Sequence, residues 1–156
     1  YAPLSNKYFN RLISKSREKH KAYLLSRFET MKFIRRNEKE GNYALYGFIN
    51  DQSPRMRPNL YWRPFLGVKV PVFKGAENLA KEFNFPVFFT EINRVKRGYY
   101  TATVSTLVED PSSCKDLEIT DRYIDRLEAQ IRKYPAQYLW SHNRFKHRNR
   151  MPIDQQ

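Results

Sequence analysis

An aspartate with arginines behind it is the first arrangement in this sequence that could do chemistry. The run YALYGFI (43–49) is apolar enough for a buried strand and gives way to Asn50 and Asp51, with Arg55, Arg57 and Arg63 following in a Pro- and Trp-rich loop. A carboxylate at a strand end can orient a guanidinium or a hydroxyl, and arginines suit phosphate or a developing oxyanion. The plainer reading is an Asp that caps its own turn and pairs with its neighbours. Arg17, four residues after Ile13, stands at the border of a helical apolar stripe. It either holds an anion or snorkels at a helix edge. His20, His142 and His147 form no cluster with carboxylates in sequence and read as surface residues. No Gly-x-Ser-x-Gly elbow, phosphate-binding glycine loop or zinc-binding cysteine pair is present. The tail PAQYLWSHNRFKHRNR (135–150) interleaves Tyr138, Trp140 and Phe145 with Arg144, Lys146, Arg148 and Arg150. Rings among cations can stack bases, or lie at lipid headgroups while Lys and Arg reach phosphate.

These residues need elements to position them. Tyr8, Phe9, Leu12 and Ile13 recur at helical spacing and predict a helix capped by Ser5 or Asn6. A second helix is expected within RFETMKFIRRNEKEGN, ending at Gly41 or Asn42, and YALYGFI is the next strand. GVKVPVFKGAENLAKEFN reads as an extended piece turning into a helix, followed by the strand FPVFFTEINR. NRVKRGYYTATV signals a hairpin. A last helix starts at Thr120 or Asp121, with Tyr123, Ile124, Leu127 and Ile131 on one stripe, and is stopped by Pro135. Strands alternating with helices predict an α/β fold: a mainly parallel or mixed sheet flanked by helices, with site residues beyond the carboxyl ends of the strands. On that plan Asp51 and Arg17 are expected to face one another across a cleft.

At 156 residues the chain is one domain's worth, and no stretch approaches the roughly 20 apolar residues of a membrane span. A lone cysteine, Cys114, excludes a disulfide framework and fits a reducing compartment. The net charge of +13 is uneven: eleven cations against four acids in residues 1–40, thirteen against eleven in 41–132, five against one in 133–156. Basic ends imply an anionic partner, whether nucleic acid, a membrane surface, a phosphorylated ligand or an acidic protein.

Order along the chain narrows this. YAPLSNKYFNRLISKSR, NDQSPRMRPNLYWRPFLGV, GAENLAKEFNFPVFF and YPAQYLWSHNRFKHR, in that order, resemble segments of the lipid A biosynthesis (lauroyl/myristoyl) acyltransferases. The last is the most specific, similar to a Pro-x-Gln-Tyr/Trp-x-Trp-x-His-x-Arg-Phe/Trp-Lys ending. The resemblance implies a glycerolipid-acyltransferase-like fold and transfer of a fatty acyl chain from acyl-acyl carrier protein to a hydroxyl of a phosphorylated lipid A precursor. It implies no cofactor or metal, and a place at the cytoplasmic face of the bacterial inner membrane. Arg17 and Asp51 match positions with supporting catalytic roles, and Arg55, Arg57, Arg144 and Lys146 are expected to bind the anionic substrate or membrane surface. Asn50 departs from the Pro common before that Asp. The family's general base lies in a His-x4-Asp/Glu block, but the fifth residues after the three histidines are Leu25, His147 and Pro152. With Tyr1 as its start, residues 1–156 are therefore expected to be the carboxyl-terminal portion of a single acyltransferase domain, incomplete at the N-terminus and inactive alone. Another glycolipid or aminolipid acceptor is the nearest alternative; a non-enzymatic nucleic-acid-binding domain, supported by charge and aromatics only, is the more distant one.

Overall fold

The computed structural model describes residues 1, 3–19, 21–26 and 28–151. His20, read above as a surface residue, lies outside them. The chain divides into two compact units, Tyr1–Gly47 and Phe48–Gln156.

The first unit is helical. Helix α1 (Lys7–Arg17) is capped by Asn6, whose side-chain oxygen accepts from the amides of Tyr8 and Phe9 at 3.0 and 3.1 Å. Its periodic residues Tyr8, Phe9 and Leu12 are exposed. Helix α2 (Thr30–Lys39) buries Ile34 completely and Asn37 nearly so, the latter donating to the Tyr46 hydroxyl at 3.1 Å. Gly41, at φ +68°, lets the chain leave the helix through a left-handed turn.

The second unit holds the core. Strands β1 (Tyr61–Phe65) and β2 (Val68–Val72) form an antiparallel hairpin in which Phe65 faces Val68. The two turn residues, Leu66 and Gly67, have φ +50° and +82°, the pattern of a type I′ turn that matches strand twist. Strand β1 lies inside what sequence alone read as an Arg/Pro loop. Pro64 and Arg63 disguise it, but in a two-stranded sheet every strand is an edge and tolerates proline. Helix α3 (Gly75–Phe83) follows, then a second hairpin of β3 (Val87–Lys96) and β4 (Tyr99–Val108), and last helix α4 (Glu118–Lys133).

Helix α4 packs the core. Ile124, Leu127 and Ile131 bury against Phe65, Val70, Val72 and Phe89, each full burial being worth about 1.5–3 kcal/mol. The helix begins two residues before the expected Thr120 because the buried Glu77 of α3 caps it, accepting from the Thr120 amide at 2.9 Å and hydroxyl at 2.6 Å. Arg63 of β1 reaches the same helix, bonding the Asp121 carbonyl and, at 2.6 Å, the Asp125 carboxylate.

The mixed α/β composition agrees with the sequence; the expected parallel pairing does not. Among the described residues both sheets are two-stranded and antiparallel. The strands of each pair are joined by a two-residue turn, which closes a hairpin, whereas parallel pairing needs a long crossover. YALYGFI is not a strand: residues 42–50 carry no strand assignment, and Tyr43 and Leu45 are exposed. Asp51 therefore does not close a core strand. No described helix is long and apolar enough to cross a membrane.

Candidate functional site

Four residues, 51–54, are fastened by the chain's basic tail, although some ninety positions separate the two in sequence. After α4 the backbone passes a short 3-10 turn at Pro135–Gln137 and continues in successive turns to Arg150. The Tyr138 hydroxyl donates to the Asp51 carbonyl at 2.8 Å. The Ser53 amide donates to His142 Nε2 at 2.9 Å. The Ser53 hydroxyl donates to the Arg144 carbonyl at 2.6 Å. In return Arg144 Nη1 donates to Ser53 Oγ at 3.2 Å and to the Pro71 carbonyl of β2 at 2.9 Å. Aromatic packing supports the clamp: the Arg144 guanidinium lies 5.2 Å from the Phe65 ring centre, and Phe145 packs on Phe65 at 6.3 Å.

Arg144 is 1 % exposed. Burial pushes its pKa down, while the electrostatic pull of Tyr138, Tyr123 and Asp51 opposes that and favours the cation. The Tyr123 phenol is pushed up by burial first and then by the Asp51 and Tyr138 charges. Tyr138 is also raised, chiefly by burial, with Arg144 pulling the other way. Asp51, Tyr123, Tyr138 and Arg144 thus form one electrostatic cluster. Three atoms within it make no hydrogen bond to protein: Asp51 Oδ1, Arg144 Nε and Arg144 Nη2, all enclosed. Polar atoms left so in a protein interior cost about 1–3 kcal/mol each.

The candidates from sequence meet different local surroundings. Arg17 is the exposed last residue of α1, where a cation suits the helix dipole, and it belongs to the first unit. Asp51 is half-buried in the second unit. Arg55, Arg57 and Lys146 are exposed and free to meet an anion in solution. Arg63 is committed to α4. Arg144 corrects the expectation of a surface cation, since its donors are turned into the protein on Ser53 and Pro71. His142 and His147 also correct the surface reading. His142 is half-buried and bonded, and His147 is 8 % exposed. Burial lowers the His147 pKa, aided by Lys146 and Arg150 and opposed by the Pro54 carbonyl. Tyr138, which bonds Asp51, Ser53, which ties its loop to the tail, and Tyr123, which feels its charge, were missed. The available signal was a hydroxyl two residues from it and a tail too rich in aromatics to lie wholly in water. Among the described residues no group of His, Cys, Asp and Glu is arranged to hold a metal.

This arrangement is a fixed carboxylate loop rather than a nucleophile and base. A profile of the bacterial lipid A biosynthesis acyltransferases matches residues 1–147, taking in the Asp51 loop and nearly all of the tail that holds it. The chain belongs to that acyltransferase family. No curated protein matches it.

Proposed function

We propose that the chain serves transfer of a fatty acyl group from acyl-acyl carrier protein to a hydroxyl of a phosphorylated lipid A precursor, at the cytoplasmic face of the inner membrane. The acceptor oxygen forms an ester bond to the acyl carbon, the thioester C–S bond breaks, and the hydroxyl proton ends on the carrier's thiol. The observation that carries this reading is Asp51: a carboxylate with an enclosed, unpaired oxygen, on a loop fixed by the tail, in a member of this family. Asp51 orients the acceptor or a cation beside it. Arg17, Arg55 and Arg57 present exposed guanidiniums for phosphate, or for the oxyanion that develops on the thioester carbonyl. Lys146 adds charge towards the acidic carrier protein or an anionic leaflet. The general base is the family's His-x4-Asp/Glu block, which we place upstream of Tyr1.

The test is acyl transfer from lauroyl- and myristoyl-acyl carrier protein to a lipid A precursor. The intact protein, including sequence upstream of Tyr1, should turn over, and residues 1–156 alone should not. Turnover by 1–156 alone would remove the upstream base. An intact protein that acylates only an aminolipid or another glycolipid would move the reading to a different acceptor.

A further inference from the structure

Arg144 is the least accessible charged residue among the described residues of the second unit, and it carries two enclosed donors with no protein partner, Nε and Nη2. A buried guanidinium in that state is costly, and an arginine whose task was only to solvate the tail would not adopt it. Its remaining contacts share one destination. Nη1 holds Ser53 Oγ, two residues from Asp51, and ties it to the Pro71 carbonyl on β2. The backbone carbonyl of Arg144 takes the Ser53 hydroxyl, so one residue grips Ser53 from two sides. Tyr138 grips Asp51 itself through its carbonyl. The Asp51 side chain is left with an enclosed oxygen, Oδ1, that no donor satisfies. Its charge is nevertheless felt at the guanidinium, among the groups that favour the Arg144 cation.

We propose that Arg144 is a positioning residue for Asp51. It anchors Ser53 to β2 and so holds the Asp51 loop in place, without touching substrate. This rests on the reading of Asp51 as a residue of the acyl-transfer site, and the test separates the two.

The experiment uses the intact protein with Arg144→Lys, Arg144→Met and Asp51→Asn, and the Arg144→Met/Asp51→Asn double variant. Two readouts are taken: hydrogen exchange at the backbone amides of residues 51–53, and kcat and KM for acyl transfer. Arg144→Met should speed exchange at Ser53 by about tenfold or more and lower kcat by about tenfold, with KM changed less than about twofold. Arg144→Lys, which keeps charge but not the fork, should recover part of kcat. The double variant should be no slower than Asp51→Asn alone, because a group that acts through another adds nothing once that other is gone. Losses that multiply, or a Met variant with faster exchange and unchanged kcat, would overturn the proposal. If Arg144→Met does not fold, Arg144→Lys and Tyr138→Phe carry the same comparison, and normal kcat with normal exchange in both is the overturning result. A wild type that transfers no acyl group defeats the functional reading instead; exchange at Ser53 then decides whether Arg144 restrains the loop.

Discussion

Two stretches of the second unit have nearly the same composition and opposite fates. The β3–β4 hairpin tip carries Arg94, Lys96 and Arg97 beside Tyr99 and Tyr100; the tail carries Arg144, Lys146 and Arg148 beside Tyr138, Trp140 and Phe145. At the hairpin every one of these residues is exposed, and Lys96 merely lies over the Tyr99 ring at 4.4 Å. In the tail, Arg144 is buried while Lys146 and Arg148 stay outside. The difference lies in what each stretch meets. The hairpin tip projects past Gly98, a turn at φ +81°, and the strand ends around it stay exposed. The tail lies on the open end of a core that offers a serine, a backbone carbonyl and a phenylalanine face. A cation is buried where such partners wait for it, and composition alone cannot report them.

The sharpest way to break this comparison is at the residue the tail holds. Asp51→Asn in the intact protein should lower kcat for acyl transfer about a hundredfold, equivalent to about 2.7 kcal/mol of barrier, while the melting temperature stays within about 2 °C. Asp51 Oδ1 makes no hydrogen bond to protein, so the substitution sacrifices none there. A large fall in melting temperature with kcat intact would make Asp51 a structural residue.

The next largest effect contrasts the two arginines. Arg144→Ala removes the bonds to Ser53 and Pro71 and the contact with Phe65, and should cost about 3 kcal/mol, or about 9 °C in melting temperature for a chain of this size. Arg97→Ala at the hairpin should stay within about 0.5 kcal/mol. Equal losses from thermal denaturation of the two variants would erase the distinction. Between these extremes, Tyr138→Phe deletes one hydrogen bond to the Asp51 carbonyl and should cost about 1 kcal/mol by the same measurement.

How much of this was legible beforehand depended on distance along the chain. The Asn6 cap, the α4 stripe and the VKRGYY hairpin are local patterns, and the sequence showed them. Strand β1 was hidden because Arg63 and Pro64 look like loop residues, and only its pairing with β2 makes them strand. YALYGFI has the opposite fault: apolar and β-branched residues without a pairing partner among the described residues. Asp51 could be singled out by type, and the tail by its pattern. That one grips the other is a contact across some ninety residues, and neither periodicity nor spacing encodes it.

A titration tests whether the tail is packed as deeply as its geometry indicates. Burial depresses the His147 pKa below the ordinary histidine value, so the unfolded chain binds that proton more readily than the folded one. The stability tied to the neutral ring is complete above the unfolded value of about 6.5 and is lost as pH falls towards and through the lower folded value. The groups that bear on this ring are Lys146, Arg150 and the Pro54 carbonyl. His147→Leu should therefore flatten the fall of melting temperature across that acidic window. An unchanged slope would mean that water reaches the ring.

The smallest effect belongs to the cation that stayed outside. Lys146 is exposed two residues beyond the buried Arg144, so on the proposed function the headgroup role falls to it rather than to Arg144. A single lysine near an anionic surface contributes about 1 kcal/mol, so Lys146→Ala should weaken binding of the intact protein to vesicles rich in anionic lipid about fivefold. The melting temperature should not move, since the side chain leaves no buried partner behind. The hairpin supplies the control: Lys96→Ala removes an exposed lysine of the same charge from the other basic stretch. If co-sedimentation shows equal losses for both, the attraction is spread over the whole basic surface. A loss confined to Lys146 marks the exposed part of the tail as the one turned towards the lipid.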